Sequence, residues 1–313
     1  MTSQDEITRT ADRVKDALGA AADVMMVGDS PVRTRRPKVR RVAGWVLPSS
    51  AAASILAIAL VAVLVGQLAG NTGGPTISSA GIGPVPPVNS APDQAVLKSP
   101  GYLAARSSVV KILGSAPNCR GGGRMIEGSG FVYAPQHVIT DAHVVAGVTR
   151  PLPPAKGAGP TVTTANGVKY STRVVFYDPK IDIAVLYVPG LKLTPLRFNT
   201  QAKPGDNAVV AGYPENHPLT GAAARIGQVQ RAEGPDIYEK GMVVRQIYEI
   251  RSQVEEGNAG GPLLSPSGTV DGVVYAGAVG IPHTGFVLTA AQIRADASAG
   301  ATATAPVSTQ RCT

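Results

Sequence analysis

The feature that most constrains the fold is a series of short β-type segments that fills the carboxyl-terminal two thirds of the chain. Runs rich in Val, Ile and Tyr alternate with Gly, Pro, Asn and Asp from about residue 95 onward. Such runs, bounded by turn residues, are typical of strands. The 36 Gly and 26 Pro fit many turns, and the 4% aromatic content predicts a core of Val, Ile, Leu and Ala.

The predicted strands fall into two batches separated by a connection that contains Pro and Lys. Two batches of short strands suit two small antiparallel barrels. We therefore expect an all-β domain over 96–313, with two antiparallel six-stranded-type β-barrels and a short helix near Ala290–Ala297. The predicted strands are Val109–Leu113, Gly128–Tyr133, Val138–Thr140, Thr161–Thr163, Arg173–Phe176, Ile183–Tyr187, Ala208–Ala211, Gly227–Gln230, Val243–Tyr248, Val270–Tyr275 and Gly285–Leu288.

A long apolar segment precedes this domain. Residues 42–92 carry no charge, and the strongly apolar part covers 42–69. About 20 apolar residues span a bilayer as a helix, so we expect a single transmembrane anchor there. The alternative is a cleaved signal peptide, but the basic stretch before it is long and the exit lacks the small-x-small pattern. Residues 70–95, rich in Gly, Pro and Ser, are predicted to be a flexible linker.

The positive charge of the chain is concentrated before the apolar segment. Of the net charge of +8, six basic residues lie within nine positions. This layout is typical of a cytoplasmic membrane flank, and no basic stripe interleaved with aromatics suggests nucleic-acid binding. Residues 1–41 are thus predicted to be cytosolic and the later domain periplasmic or extracytoplasmic. Residues 4–26 have helical apolar spacing, which fits either a solvated amphipathic helix or a docking helix for a cytosolic partner.

Three motifs with chemical potential follow one another in the domain. His143 lies in Thr140–Val145, Asp182 in Asp178–Leu186, and a glycine-rich loop covers Glu256–Leu263. A histidine can accept a proton near neutral pH, and a carboxylate on its second nitrogen fixes its tautomer. The alternation around Asp182 predicts a carboxylate on the strand face opposite to its apolar neighbours. Backbone N–H groups of the loop can stabilise an oxyanion.

Together, in this order, the motifs resemble those of trypsin-like serine proteases, including the bacterial HtrA-type members. The resemblance implies the two-barrel fold, a His143–Asp182 pair, and an oxyanion hole made by the N–H groups of Gly257 and residue 259. The nucleophilic serine of the family corresponds to Ala259. The family also implies Gln253 at the base of the primary specificity pocket and a substrate strand pairing along Val274–Ala276, which includes Tyr275.

A narrower resemblance covers about 100–313 and includes both cysteines. The segments Arg231–Tyr238, Tyr248–Arg251 and Thr284–Ala290 are similar to the mycobacterial membrane-anchored periplasmic proteases linked to acid resistance. This resemblance implies a disulfide between Cys119 and Cys312, whereas the residues alone also allow two free thiols. The chain departs from that group in two ways, since it offers one membrane segment instead of several and lacks the serine.

Three functions are compatible with the sequence. The first is a membrane-anchored endopeptidase that acts on cell-envelope proteins and is inactive because of Ala259. The second is a natural pseudoprotease that binds peptides as a scaffold or sensor. The third is an interaction protein that acts through residues 4–26. No cofactor is expected. No metal site is expected either, because the remaining histidines lack ligand spacing; these are His137, His217 and His283.

Overall fold

The computed structural model describes residues 90–119, 122–149, 159–278 and 281–313. The β-structure belongs to one compact unit, which includes the described residues up to Ala278 and from His283 onward. Among the described helices, none is both long and apolar enough to cross a bilayer. The predicted cytosolic segment 1–41, the anchor 42–69 and all but the last residues of the linker 70–95 lie outside the described part.

The first sheet contains seven antiparallel strands. Their order is β5-β4-β1-β2-β3-β7-β6. Burial alternates in β1, where one face turns inward, and becomes continuous in β3 and most of β7, which are covered on both faces. The strands are β1 Val109–Ala116, β2 Arg124–Ala134, β3 His137–Thr140, β4 Thr161–Thr163, β5 Lys169–Ser171, β6 Arg173–Asp178 and β7 Ile183–Tyr187.

The second sheet is a closed six-stranded barrel, as predicted. Its order is β10-β13-β12-β11-β8-β9, with β9 pairing to both β8 and β10. Closure leaves no free sheet edge within the ring. The strands are β8 Asn207–Gly212, β9 Thr220–Pro235, β10 Met242–Arg251, β11 Pro262–Leu264, β12 Val270–Gly277 and β13 Thr284–Thr289.

The first sheet differs from the predicted six-stranded barrel, because it has seven strands and β5 does not pair with β6. The two edge strands β5 and β6 are separated in sequence by Thr172 alone. Strands joined by one residue cannot turn back onto each other as an antiparallel pair, which needs at least a two-residue turn. The Thr172 hydroxyl donates to the Pro160 carbonyl at 2.7 Å and fixes the bend. The first sheet therefore curves back on itself through the bend at Thr172, and β5 and β6 are not joined by a ladder of hydrogen bonds.

Three short α-helices accompany the sheets in the described part of the chain. They are α1 Pro100–Ala105, α2 Ala142–Val145 and α3 Ala290–Gly300. The predicted final helix is confirmed as α3, and the Thr289 hydroxyl caps its amino end by accepting from the Gln292 N–H. Ile293 and Ala297 of α3 are buried in the core. The Tyr133 hydroxyl donates to the Ala297 carbonyl at 2.9 Å and ties α3 to the first sheet.

One buried cluster joins the two sheets. Phe131 and Ile139 of the first sheet belong to the same cluster as Leu264 and Leu288 of the second. All four side chains are fully buried. Aliphatic and Phe side chains removed from water each contribute roughly 1.5–3 kcal/mol. The two sheets are thus packed through a shared apolar interface.

The predicted disulfide between Cys119 and Cys312 is present, with Cα atoms 5.5 Å apart. It pins the carboxyl-terminal tail to the end of β1. Because 193 residues separate the two cysteines, chain-entropy arguments put the constraint on the unfolded state at about 5 kcal/mol as an upper bound. A hydrogen bond also holds the tail, since the Tyr238 hydroxyl donates to the Arg311 carbonyl at 2.9 Å.

Candidate active site

His143 lies on the four-residue helix α2, directly after β3 ends. The preceding Asp141 has extended backbone angles and starts the helix. Ala142, Val144 and Val145 are buried, so the short helix is held by its apolar side chains. The His143 side chain retains 32% of its exposure and is therefore accessible to a bound molecule.

Asp182 contacts His143 twice. Its Oδ2 lies 2.8 Å from the imidazole Nδ1, and its Oδ1 accepts the His143 backbone N–H at 2.8 Å. The double contact fixes both the ring orientation and the tautomer that leaves Nε2 free to accept a proton. Asp182 lies in the turn before β7 with a φ of 74°. The predicted placement on a strand face was therefore wrong, because the turn that precedes the strand aims the carboxylate.

The electrostatic environment favours a protonated His143. Burial disfavours the imidazolium, but the charge of Asp182 and its hydrogen bond outweigh burial and raise the pKa of His143 to about 9. With this pKa the ring is mostly imidazolium at neutral pH, the charged form that the Asp182 carboxylate stabilises. Only the neutral imidazole can accept a proton from a bound group, and its fraction grows as the pH rises towards 9.

The glycine-rich loop is held against both sheets. The Ser129 N–H donates to the Ala259 carbonyl at 2.8 Å, and the Ser129 hydroxyl donates to the Gly257 carbonyl at 2.6 Å. The Gly260 N–H donates to the Val274 carbonyl at 2.8 Å. Gly260 has a φ of +81°, and a Cβ there would lie 2.2 Å from the Thr140 Oγ1. This position therefore requires glycine for both conformation and space.

Two backbone N–H groups of the loop are unengaged. Neither the Gly257 N–H nor the Ala259 N–H donates to another residue in the described part of the chain. The carbonyls of the same two residues are taken by Ser129, which fixes the orientation of the flanking peptides. Free, fixed N–H pairs of this kind can bind a carbonyl oxygen or an oxyanion. The resemblance to trypsin-like proteases implies an oxyanion hole at Gly257 and Ala259, and this role stays a prediction.

Ala259 packs against a buried cluster that includes side chains of the helix carrying His143. Its side chain contacts the buried cluster to which Ala142, Val144 and Val145 belong. A Cβ at Gly128 would lie 2.6 Å from a Val144 methyl and 3.2 Å from the Ala259 carbonyl. The structure thus brings together His143, Asp182, Gly257 and Ala259. The side chain at position 259 is a methyl group, which cannot form a bond to a substrate.

The predicted substrate-binding residues occupy two places. Gln253 is exposed, donates to the Glu255 carboxylate at 2.6 Å, and lines a cavity of about 190 Å³. Val274, Tyr275 and Ala276 lie on β12, and the Val274 N–H and C=O both bond to the Gly260–Gly261 peptide region. The other cavity-lining residues are Val210, Pro214, Thr220, Gly221, Ala222, Glu255 and Asn258.

Val254 was missed by the sequence reasoning. A Cβ at Gly285 would lie 2.5 Å from a Val254 methyl, and one at Gly277 would lie 3.1 Å from the Val254 carbonyl. Val254 therefore fills the space that these two glycines leave open beside β12. No sequence signal marks it, because its position depends on a contact between distant strands.

Asp141 was also missed. It is fully buried, and neither carboxylate oxygen has a hydrogen-bond partner in the described part of the chain. Burial and the nearby Asp182 charge raise its pKa well above the usual range. Asp141, His143 and Asp182 each offer a ligand atom within 4.8 Å of one another. A metal ion here would have to displace the His143–Asp182 hydrogen bond, since Nδ1 is already engaged.

The fold consists of two curled antiparallel β-sheets. The site combines a histidine–aspartate pair with a glycine-rich loop that presents free N–H groups. Together these features define the chymotrypsin-fold class of hydrolases. Residues 128–273 match the family model described as the trypsin-like peptidase domain. The serine protease Rv3671c of Mycobacterium tuberculosis is 44% identical over 232 residues, covering 73% of this chain and 54% of that protein. The chain belongs to the family of trypsin-like peptidases.

Solved structures of Rv3671c agree with this assignment. Its active form has a TM-score of 0.65 at 41% identity, covering 71% of this chain and 93% of that chain. A serine-to-alanine mutant of the same protein, described as an inactive form, has a TM-score of 0.58 at 40% identity, covering 70% of this chain and 98% of that chain. The chain spans about half the length of the curated relatives it matches.

Proposed function

We propose that the chain is a trypsin-like serine endopeptidase of the cell envelope in which Ala259 removes the nucleophile. The main support is the His143–Asp182 pair, whose Nδ1 and Oδ2 atoms lie 2.8 Å apart. The glycine-rich loop adds two unengaged backbone N–H groups, at Gly257 and Ala259. The remaining parts of a serine protease site are thus present without the hydroxyl. Proteins or peptides are the proposed ligands, as for the protease relatives.

A serine at position 259 would complete the reaction cycle. Its Oγ would attack the peptide carbonyl while the imidazole of His143 takes the hydroxyl proton and later passes it to the leaving amine. The carbonyl oxygen, negatively charged in the tetrahedral intermediate, would be held by the two backbone N–H groups. Asp182 would stabilise the imidazolium formed in between. With a methyl at 259, no acyl bond can form, and turnover falls by about a million-fold.

A fluorophosphonate probe tests this proposal, because it bonds to an activated serine. The chain as it stands should remain unlabelled, and Ala259→Ser should be labelled and should cleave an unfolded protein such as casein. The matched control is Ala259→Ser combined with His143→Ala, which should lose labelling while keeping the fold. Labelling of the alanine chain, or an inert Ala259→Ser variant with an intact fold, would contradict the proposal.

A second candidate function is a natural pseudoprotease that binds peptides as a scaffold or sensor. It is favoured by the Gly257 and Ala259 N–H groups, which belong to the main chain and are unaffected by loss of the hydroxyl. Fluorescence anisotropy with labelled unfolded peptides measures this binding in the alanine chain. If Ala259→Ser stays inert while peptides bind, the pseudoprotease is the better description.

We also propose that residues 42–69 anchor the chain and place the protease domain outside the cytoplasm. The support is the uncharged apolar segment and the basic cluster before it. Retention of the intact chain in the membrane fraction after alkaline wash, with the domain accessible to added protease in spheroplasts, is expected. Residues 4–26 would then face the cytosol, where they are available to a partner.

A further inference from the structure

Arg245 is a buried cation that has no carboxylate within ion-pair distance among the described residues, although its charge acts to lower the pKa of Asp141. It lies on β10 of the second sheet and is 3% exposed. No ion pair within the described residues includes it. Burying a guanidinium is costly unless its donors are satisfied. The groups that satisfy Arg245 therefore indicate what it does.

All three satisfying groups are backbone carbonyls. The Nε–H donates to the Ile181 carbonyl at 3.3 Å, and one Nη donates to the Lys180 carbonyl. The other Nη donates to the Pro235 carbonyl of β9 at 3.1 Å. Arg245 thus bridges its own sheet to the turn of the first sheet that ends at Asp182.

This turn needs external support. Asp182 adopts a φ of 74°, a left-handed conformation that residues other than glycine rarely adopt and that the surroundings must hold in place. The Asp178 Oδ1 accepts the N–H groups of Lys180 at 2.7 Å and Ile181 at 3.3 Å. Asp178 therefore fixes the N–H side of the turn, and Arg245 fixes the carbonyl side.

We propose that Arg245 is a positioning residue for the His143–Asp182 pair. By holding the two carbonyls directly before Asp182, it keeps both carboxylate oxygens on His143. The inference rests on the proposed function only for the catalytic meaning of the pair, since the geometric effect is present in the alanine chain. Arginine suits this task because its planar fork satisfies several fixed carbonyls at once, whereas lysine offers a compact charge on a flexible stem.

The state of His143 in the full chain provides the test. Nitrogen-15 NMR titration in detergent should give the parent a His143 pKa of about 9. We expect Arg245→Met to lower it by about two pKa units, because the Asp182 contact is lost, and Arg245→Lys to lie between. The control is Arg225→Met, which removes another arginine-to-carbonyl contact, to Gly205 at 2.8 Å, and should leave His143 unchanged.

A His143 pKa in a folded Arg245→Met variant that matches the parent would overturn the proposal. If Arg245→Met does not fold, Arg245→Lys and Arg245→Gln carry the test, since each retains a donor. In the Ala259→Ser background, the same changes should lower kcat more than they raise KM. An inert Ala259→Ser would count against the proposed protease function, whereas an unshifted His143 in the alanine chain counts only against the role of Arg245.

Discussion

Replacing Asp271 by Asn should change how stability depends on pH. Asp271 lies on β12, is 1% exposed, and accepts the Asn199 side-chain amide at 2.8 Å. Burial is the main cause that raises the pKa of Asp271 to about 7; the Asn199 hydrogen bond opposes this and the Asp206 charge adds to it. The folded state therefore holds a proton that the unfolded chain, with a pKa near its ordinary value of 3.8, has already lost.

The sign and size of the effect follow from linkage. Because the folded pKa is raised, stability falls as pH rises above the unfolded pKa, and the fall levels off above the folded pKa. A shift from 3.8 to about 7 corresponds to about 4 kcal/mol in full, of which about 2.5 kcal/mol develops between pH 5 and pH 8. The substituted asparagine cannot ionise, and its side-chain oxygen can still accept from Asn199, so the variant lacks this loss.

The assay is denaturant unfolding of the full chain in detergent at pH 5 and pH 8, with the disulfide intact. Other groups titrate in this range in parent and variant alike, so the difference between the two isolates Asp271. The stability of Asp271→Asn relative to the parent should rise by about 2.5 kcal/mol between pH 5 and pH 8. A relative stability that is constant to within about 0.5 kcal/mol would refute the argument that this carboxyl is buried and protonated.

Two further predictions concern the loop and the pocket. In the Ala259→Ser background, Gly260→Ala should lower the melting temperature and abolish fluorophosphonate labelling. The reason is that the new Cβ would lie 2.2 Å from the Thr140 Oγ1, at a position with positive φ. Normal labelling would show that the loop rearranges freely. Gln253→Ala, which shortens a side chain that lines the cavity, should in the same background raise kcat/KM about tenfold for peptides with a larger side chain before the cut. The measurement is a matched peptide series, and an unchanged preference would exclude Gln253 from the specificity pocket.

The strand pattern was largely predictable because its period and punctuation are local. Each predicted strand lies within or overlaps an observed one, from β1 to β13. The two missed strands, β5 and β11, are three residues long. The predicted β4 is equally short, but its Thr-Val-Thr run is entirely β-branched, whereas Lys-Tyr-Ser of β5 and Pro-Leu-Leu of β11 contain no β-branched residue. Pro262 of β11 also belongs to the glycine-rich motif, so the segment was interpreted as a loop and not as a strand. The bend at Thr172 depends on a hydrogen bond to Pro160 that no local pattern shows.

The candidate site was predictable only where motif residues carry the chemistry themselves. His143, Asp182 and the loop at 257–261 are adjacent to recognisable neighbours in sequence. Asp141 and Arg245 are not recognisable, because their importance comes from burial beside residues distant in the sequence, Asp182 for Asp141 and Ile181 for Arg245. A surface arginine and a buried one look the same in a strand such as β10. Only tertiary packing distinguishes them.

Two structural features beside the His143–Asp182 pair lower the stability of the fold, and they bear on the choice between protease and pseudoprotease. Asp182 has a left-handed backbone and Asp141 is a buried carboxyl without a partner among the described residues, features that each cost on the order of 1–3 kcal/mol. Peptide binding through the Gly257 and Ala259 N–H groups uses none of them. A protein shaped only to bind peptides would be served as well by an apolar residue at 143. His143→Leu in the alanine chain should therefore leave peptide affinity unchanged, by anisotropy, whereas a lost affinity would give the pair a binding role and favour the pseudoprotease.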